Sequence, residues 1–207
     1  MGLRKNAPPD LHPVQARERK RDLLGLMAQL SDADANARRW AARDLAGHAA
    51  AASTMGQALQ RERDLSVREA LFTSLSAMDD DGAVKVLLPL LRSDEAALRN
   101  GAIEALAAMP QRVAPWVDRL LSDPDADVRL MTVNLLGELR HPQVGHWLTQ
   151  VLDQDAHVNV VAGAIEVMTE VGDSQHRDVL LRARARFAQD PFIGFATELA
   201  LQRIDPS

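Results

Sequence analysis

The chain alternates between apolar segments with helical spacing and short acidic turns. Segments such as VKVLLPLLRS from Val84 and VAPWVDRLLS from Val113 carry apolar residues three and four positions apart, which places them on one side of an α-helix. A turn containing Asp follows, and then a second such segment, for example DVRLMTVNLLGEL from Asp127. Asp suits this place because its carboxylate can accept hydrogen bonds from the free N–H groups at the start of the next helix. The pattern therefore predicts pairs of helices joined by capped turns.

These helix pairs repeat along the chain. The segment SDADANAR ending at Arg38 recurs as RERDLSVR, LRSDEAALR and SDPDADVR, which end 30, 31 and 30 residues further on. A fifth copy has Val161 in place of the Arg, and a sixth, looser copy begins at AQDPFIGFATELALQRI. Neither helix of a pair can bury its apolar stripe alone, so the pairs must stack. We expect an all-α fold, an α-solenoid of about six antiparallel helix pairs over residues 19–207, after a basic, Pro-containing, disordered leader over residues 1–18.

Composition supports helices and excludes several functions. Aromatic residues make up only 3% of the chain, and Ala and Leu, which favour helices, dominate. The net charge of −5 argues against a general nucleic-acid binder, and the absence of Cys excludes thiolate catalysis and zinc sites built on Cys. No apolar run is long enough to cross a membrane. We expect a cytoplasmic protein that binds neither nucleic acid nor membrane.

The paired helices, the period near 31 residues and the Asp-x-x-x-[Val/Leu]-Arg turn resemble the HEAT repeat, most closely its short bacterial type, over about residues 20–204. The resemblance implies that the second helix of each pair lies on the concave side of the solenoid. It also implies a structural ladder, in which each turn Arg bonds acidic side chains of its own or the adjacent pair. The residues of this predicted ladder are Asp32, Arg38, Glu62, Arg68, Asp94, Arg99, Asp123 and Arg129.

The aspartates at alternate positions in SDPDADVR raise the possibility of a calcium loop. Such a loop needs Gly at its sixth position and Glu at its twelfth, where a loop starting at Asp123 has Val128 and Asn134. No His precedes a Glu, so the His-Glu pairs of HEAT-like di-iron hydroxylases are missing too. We find no catalytic triad context or Gly-rich phosphate loop. The sequence predicts helix caps here, and no metal, cofactor or catalytic residue.

The three tryptophans fall into two groups. Trp116 and Trp147 occupy the same place in consecutive first helices, where Val86 stands one pair earlier, and this indicates core packing. Trp40 stands where the other pairs have Ala70, Gly101, Met131 and Gly163. It either caps the first pair or forms a binding contact, and the sequence leaves both open.

A partner is expected on the row of second helices, because stacked helices present matching positions side by side. One and five positions after each turn Arg, or after the Val that replaces it, the chain carries Arg39 and Arg43, Glu69 and Thr73, Asn100 and Glu104, Leu130 and Asn134, and Ala162 and Glu166. We expect a non-catalytic adaptor or scaffold that binds a partner protein through this row. The alternative is a HEAT-like lyase or chaperone, similar to the phycobilin lyases, that assists cofactor or chromophore attachment to a client protein. Arg182 and Arg186, in the last pair, are predicted to form a terminal cap.

Overall fold

The computed structural model describes residues 22–204, and within them the chain forms twelve α-helices in six consecutive pairs, with no β-strand. The predicted all-α solenoid of six pairs is confirmed, while the predicted leader over residues 1–18 lies outside the described residues. The helices are α1 (Leu23–Gln29), α2 (Ala35–Asp44), α3 (Ala52–Arg61), α4 (Leu65–Met78), α5 (Asp81–Leu87), α6 (Ala96–Ala107), α7 (Pro110–Leu121), α8 (Ala126–Glu138), α9 (Val144–Gln154), α10 (Val158–Val171), α11 (Arg177–Arg186) and α12 (Pro191–Ile204). Short 3-10 helices cover Leu45–Gly47, Ala49–Ala51, Leu88–Arg92 and Ser174–His176.

The turn aspartates start the second helix of several pairs. Asp34, Asp64 and Asp125 are N-cap residues, the residues directly before the helix, and each accepts a main-chain N–H from the first turn at 2.9–3.0 Å. These bonds satisfy donors that have no partner within the helix. The N-cap residues of α6 and α10, Glu95 and His157, form no such side-chain bond, so the Asp caps are a feature of some repeats and not of all.

Pro89 divides the first helix of the third pair. Proline has no N–H to donate to the carbonyl four residues earlier, and its ring clashes with that carbonyl. The α-helix accordingly ends at Leu87 and continues as the 3-10 helix Leu88–Arg92. The 3-10 helix ends at Arg92, directly before the turn that leads into α6.

The helices form two layers with one core between them. The second helices α2, α4, α6, α8, α10 and α12 pack side by side in chain order, and so do the first helices from α3 to α11, while α1 lies against α2. Buried aliphatic side chains such as Leu71, Leu106 and Leu148 fill the space between the layers. Trp147 is buried and Trp116 is partly buried against the same core, which confirms the prediction for both.

Small residues let neighbouring second helices approach closely. A Cβ at Gly101 in α6 would clash with the ring of Phe72 from α4, and a Cβ at Gly163 in α10 would lie 3.0 Å from Leu130 of α8. The sixth position after the N-cap therefore faces the preceding second helix. In α2 this position holds Trp40, and α2 is the first of its layer among the described residues.

Candidate functional site

The predicted partner-binding residues lie on the side of the second helices that faces away from the core. Successive residues of an α-helix are about 100° apart, so the fifth and ninth positions after an N-cap lie roughly opposite the buried seventh. We call the residues at these two positions the second-helix ridge. Its exposed members are Arg43, Glu69, Thr73, Asn100, Glu104, Asn134 and Glu166, and its half-buried members are Arg39, Leu130 and Ala162.

A groove between α4 and α6 brings four ridge residues together. It has a volume of about 400 Å³, and Glu69 and Thr73 line it from α4. Asn100 and Glu104 line it from α6, and the ring of Phe72 forms an apolar wall beside Gly101. The four ridge residues therefore bring two carboxylates and two neutral polar groups to the groove beside one aromatic surface, and Arg68 and Ser76 line it as well.

At the N-terminal end the ridge is basic and aromatic. The guanidinium carbon of Arg43 lies 5.5 Å from the ring centroid of Trp40, and that of Arg39 lies 6.0 Å away. Both distances are within reach of a cation–π interaction. Trp40 remains 41% exposed, and the Nε atom of Arg39 is buried without a hydrogen-bond partner among the described residues.

At the C-terminal end the ridge is apolar, which the sequence reasoning missed. Asp190 accepts the N–H groups of Phe192 and Ile193 at 2.9 and 3.1 Å, as an N-cap does. The fifth and ninth positions after it are Phe195 and Leu199, which are 67% and 51% exposed. Extending the same count into the loose sixth copy, DPFIGFATEL, would have found both residues.

The turn arginines connect successive pairs along one edge of the solenoid. Arg38 donates from Nε to Oε2 of Glu62 at 2.7 Å and from Nη2 to Oε1 at 2.9 Å. Arg129 binds both oxygens of Asp155 in the same way, at 2.6 and 3.1 Å. Such bidentate bonds fix the orientation of the two turns.

All four turn arginines also donate a hydrogen bond within their own turn. The acceptor is a main-chain carbonyl oxygen and not a carboxylate. The acceptors are the carbonyl oxygens of Asp32, Glu62, Ser93 and Asp123, at 2.6–2.9 Å from Arg38, Arg68, Arg99 and Arg129 respectively. The carboxylates of the turn aspartates are used elsewhere. Oδ1 of Asp32, for example, accepts the N–H of Asp34 at 2.9 Å.

The third pair departs from the predicted ladder. Arg68 pairs with both carboxylate oxygens of Glu95, so the acidic residue of this joint is Glu95 and not Asp94. Asp123 pairs with Arg92, and Arg99 is left with the carbonyl of Ser93 as its hydrogen-bond acceptor among the described residues. Both changes depend on the local path of the turn.

In the fifth pair, where Val161 replaces the Arg, Arg186 takes its place. This side chain comes from the end of α11 and donates to the carbonyl oxygens of Leu152 and Asp155. Arg182 pairs with Asp153 at 2.9 and 3.0 Å. The last first helix therefore holds the preceding turn, in agreement with a terminal-cap role for these two arginines.

The turn contacts change the acidity of their carboxylates. The bonds from Arg38 hold the pKa of Glu62 below its usual range and outweigh its burial, and the N–H groups of Asp64 and Arg63 add to the effect. Burial raises the pKa of Asp155, but the bonds from Arg129 and the N–H of His157 outweigh it, and the net pKa is lowered. Both groups are therefore ionised near neutral pH.

The described residues offer no metal centre. Oδ1 of Asp123 accepts the N–H of Asp125, and Oδ1 of Asp125 accepts that of Asp127, so these aspartates cap the turn and α8. Within residues 22–204 no three His, Asp or Glu side chains are placed to hold a metal ion. Over the same range, no helix is both long and apolar enough to cross a bilayer.

Six stacked helix pairs with a repeating turn define the chain as an α-solenoid. It belongs to the HEAT repeat family, because the family model described as HEAT repeats matches residues 23–107 and 113–202.

Two kinds of known protein are similar to the chain. An uncharacterized phycocyanin operon protein Z from Pseudanabaena tenuis (strain PCC 7409) is 25% identical over 157 residues, which cover 72% of this chain and 77% of the relative. The MAST/Orbit N-terminal domain superposes with a TM-score of 0.53 at 16% identity, over 87% of this chain and 97% of that domain. The complex of CpcE and CpcF of phycocyanin lyase from Nostoc sp. PCC7120 gives a TM-score of 0.38 at 20% identity, over 85% and 80% of the two chains. The likeness to the MAST/Orbit domain is one of fold.

Proposed function

We propose that this chain is a non-catalytic adaptor that binds a partner protein along the second-helix ridge. The observation that carries the proposal is the groove between α4 and α6, where Glu69, Thr73, Asn100 and Glu104 line one continuous surface beside Phe72. Hydrogen-bonding groups arranged around an aromatic wall are typical of a protein-binding surface.

The charge of the ridge favours a protein over a nucleic acid as the partner. Glu69, Glu104 and Glu166 are exposed on three helices of the second-helix layer, α4, α6 and α10. Phosphate groups would be repelled by these carboxylates, whereas a polypeptide can offer Lys or Arg side chains to them. No reacting group is required for this role.

The test is capture of the partner from the native host by wild-type chain and by single variants. Glu104→Lys and Glu166→Lys reverse the charge of the ridge, and we expect each to weaken capture of the same co-purifying protein at least about tenfold, equivalent to about 1.4 kcal/mol. Asp118→Lys is the matched control, because Asp118 is exposed on α7 in the other layer. Equal capture by all three variants, with unchanged melting, would reject the ridge as the binding surface.

A second candidate function is assistance in attaching a chromophore or another cofactor to a client protein. It is favoured by the likeness to the phycocyanin operon protein Z over 72% of this chain. A covalent role for this chain would need a nucleophile or an acid beside a pocket. The chain has no Cys or Tyr, so the acid would have to come from carboxyl groups such as those of Glu69 and Glu104 in the groove. In this role the chain would hold the client through the same ridge.

The two functions differ in a spectroscopic assay. The chain is mixed with apo-phycocyanin and free phycobilin, and covalent attachment is followed by absorbance after denaturing electrophoresis. An adaptor leaves the uncatalysed rate unchanged, whereas a lyase or attachment chaperone raises that rate or changes which site is modified. Acceleration that disappears with Glu104→Lys would favour the second function.

A further inference from the structure

The exposed apolar residues at the C-terminal end of the ridge do not lie on the side of α12 where a further helix would stack. In α4 the eighth position after the N-cap, Phe72, faces the next second helix. The eighth and twelfth positions of α12 are Glu198 and Gln202, both exposed, so the side that would face a further helix is polar. A polar outer face is what a terminal repeat needs. The exposed apolar residues of α12 therefore lie on the same outward side as the ridge and not on the side that would face a further helix.

Three residues make this apolar patch. Phe192, Phe195 and Leu199 follow the i, i+3, i+7 spacing of one helix face, and all three are more than half exposed. The neighbouring ridge position on α10 is the small Ala162, which leaves space beside the two rings. Clustered exposed aromatic and aliphatic side chains mark a contact surface, whereas single exposed apolar residues do not.

The opposite end of the ridge is basic and aromatic, and it could therefore bind an acidic group of a partner. Arg39 and Arg43 flank the exposed ring of Trp40, Arg43 is exposed, and Nη2 of Arg39 donates to Oδ1 of Asn36 at 3.0 Å. A carboxylate could bind the two guanidinium groups while its neighbours pack on the ring. The two ends are five helix spacings apart, about 40–50 Å, which an extended chain covers in roughly 12–15 residues.

A second copy of this chain does not fit the ridge. A two-fold axis along the ridge would place Arg43 opposite Arg43 and Glu104 opposite Glu104 of the other copy. A two-fold axis across the ridge would place the basic end on the apolar end. The first arrangement opposes like charges, and the second places Glu69 of α4 opposite Glu166 of α10, so the ridge is not self-complementary.

We infer that the ridge binds one continuous segment of a partner protein that carries acidic residues at one end and a bulky apolar anchor at the other. The acidic end lies on Arg39, Trp40 and Arg43, and the apolar anchor lies on Phe192, Phe195 and Leu199. This inference rests on the proposed function, since it names the chemistry of the segment that the same ridge would take.

The probe is a library of 20-residue random peptides displayed on phage and selected on immobilised chain. Wild-type chain should enrich peptides with Asp or Glu near one end and Phe, Leu or Trp about 12–15 positions away. Arg39→Glu with Arg43→Glu should remove the acidic enrichment and leave the apolar one, and Phe195→Ser with Leu199→Ser should do the reverse. Matched controls in the other layer are Arg119→Glu and Leu181→Ser, both at exposed positions.

Each outcome decides the inference. Loss of one feature at a time supports it, provided that circular dichroism shows every variant folded. Enrichment without a paired acidic and apolar end, enrichment that survives both double variants, or no enrichment on wild-type chain overturns it. A dimer in sedimentation that Phe195→Ser dissociates would assign the patch to a second copy and would also overturn it. The proposed function is judged separately by capture of the host partner with Glu104→Lys and Glu166→Lys, so either can fail alone.

Discussion

Arg38 and Arg129 each hold two consecutive turns with one side chain. The guanidinium donates two bonds to a carboxylate of the next pair and further bonds to carbonyls of its own turn. Their carboxylate partners, Glu62 and Asp155, have side chains that are only 6% exposed. A pair this shielded contributes more than a surface ion pair, and loss of one partner leaves the other with an unmet charge.

Replacing Glu62 by Gln tests this contact and its pH dependence. At neutral pH we expect Glu62→Gln to lower the free energy of unfolding by about 1–3 kcal/mol, because the charged bidentate bond to Arg38 is lost. The folded-state pKa of Glu62 is lowered, so its contribution is present above the unfolded pKa and is lost as the pH falls through the folded pKa. The difference between wild type and variant should therefore shrink in acid.

Urea denaturation of both chains at neutral pH and near pH 3, roughly a unit below the ordinary pKa of Glu, measures the effect. Glu69→Gln is the control, because Glu69 is exposed on α4, the helix that follows the turn containing Glu62. A stability difference for Glu62→Gln that stays the same at both pH values would show that the charge of Glu62 is not what stabilises the joint.

Arg99 and Arg129 occupy the same position in their repeats but have different partners. Replacing each by Ala should therefore lower the free energy of unfolding by different amounts. Arg129→Ala should lower the free energy of unfolding by about 2–4 kcal/mol, since it leaves Asp155 shielded and unpaired. Arg99→Ala should cost only about 1 kcal/mol, because it removes one bond to the carbonyl of Ser93. Thermal or urea unfolding of the two variants orders them, and an equal or larger loss for Arg99→Ala would contradict the assignment of partners.

At the scale of the element, close helix packing depends on a few glycines with different surroundings. A Cβ at Gly56 in α3 would lie 2.7 Å from the Cβ of Val86 in α5, an atom that no rotamer change can move away. A Cβ at Gly194 in α12 would meet no atom within 4 Å, and its φ is not in the left-handed region. Replacement of Gly by Ala should therefore change the free energy of unfolding in opposite directions at the two sites.

Gly194→Ala should raise the free energy of unfolding by about 0.5–1 kcal/mol, which is the difference in helix propensity between the two residues. Gly56→Ala gains the same propensity but forces α3 and α5 apart, and we expect a net loss of about 1–3 kcal/mol. Urea denaturation of both variants and of the wild-type chain measures the two changes in the free energy of unfolding. Stabilisation by Gly56→Ala would show that these helices are not in the close contact described.

At the scale of the whole molecule, the solenoid follows from sequence periodicity. The second helices start every 30 to 33 residues, and each repeat can bury its apolar face only against its neighbours. The outward positions follow from helix geometry, so the ridge residues predicted from Arg39 to Glu166 lie where expected. Whether they bind a partner remains a prediction.

The contacts between repeats could not be predicted from the periodicity of the sequence. Asp94 and Glu95 are adjacent in sequence, and the path of the turn decides which one reaches Arg68. Arg186 replaces the missing turn arginine from 25 residues beyond Val161, a separation that no local pattern records. The apolar end of the ridge was visible in sequence but was missed because the sixth copy is the least regular.

Site-specific photocrosslinking in the native host can show whether a partner protein lies on the second-helix ridge. A benzophenone amino acid is placed at position 100, in the groove between α4 and α6, or at position 118, exposed on the first-helix layer. We expect a discrete crosslinked protein from position 100 and none from position 118. A crosslink from position 118 with none from position 100 would place the partner on the other layer and contradict the claim.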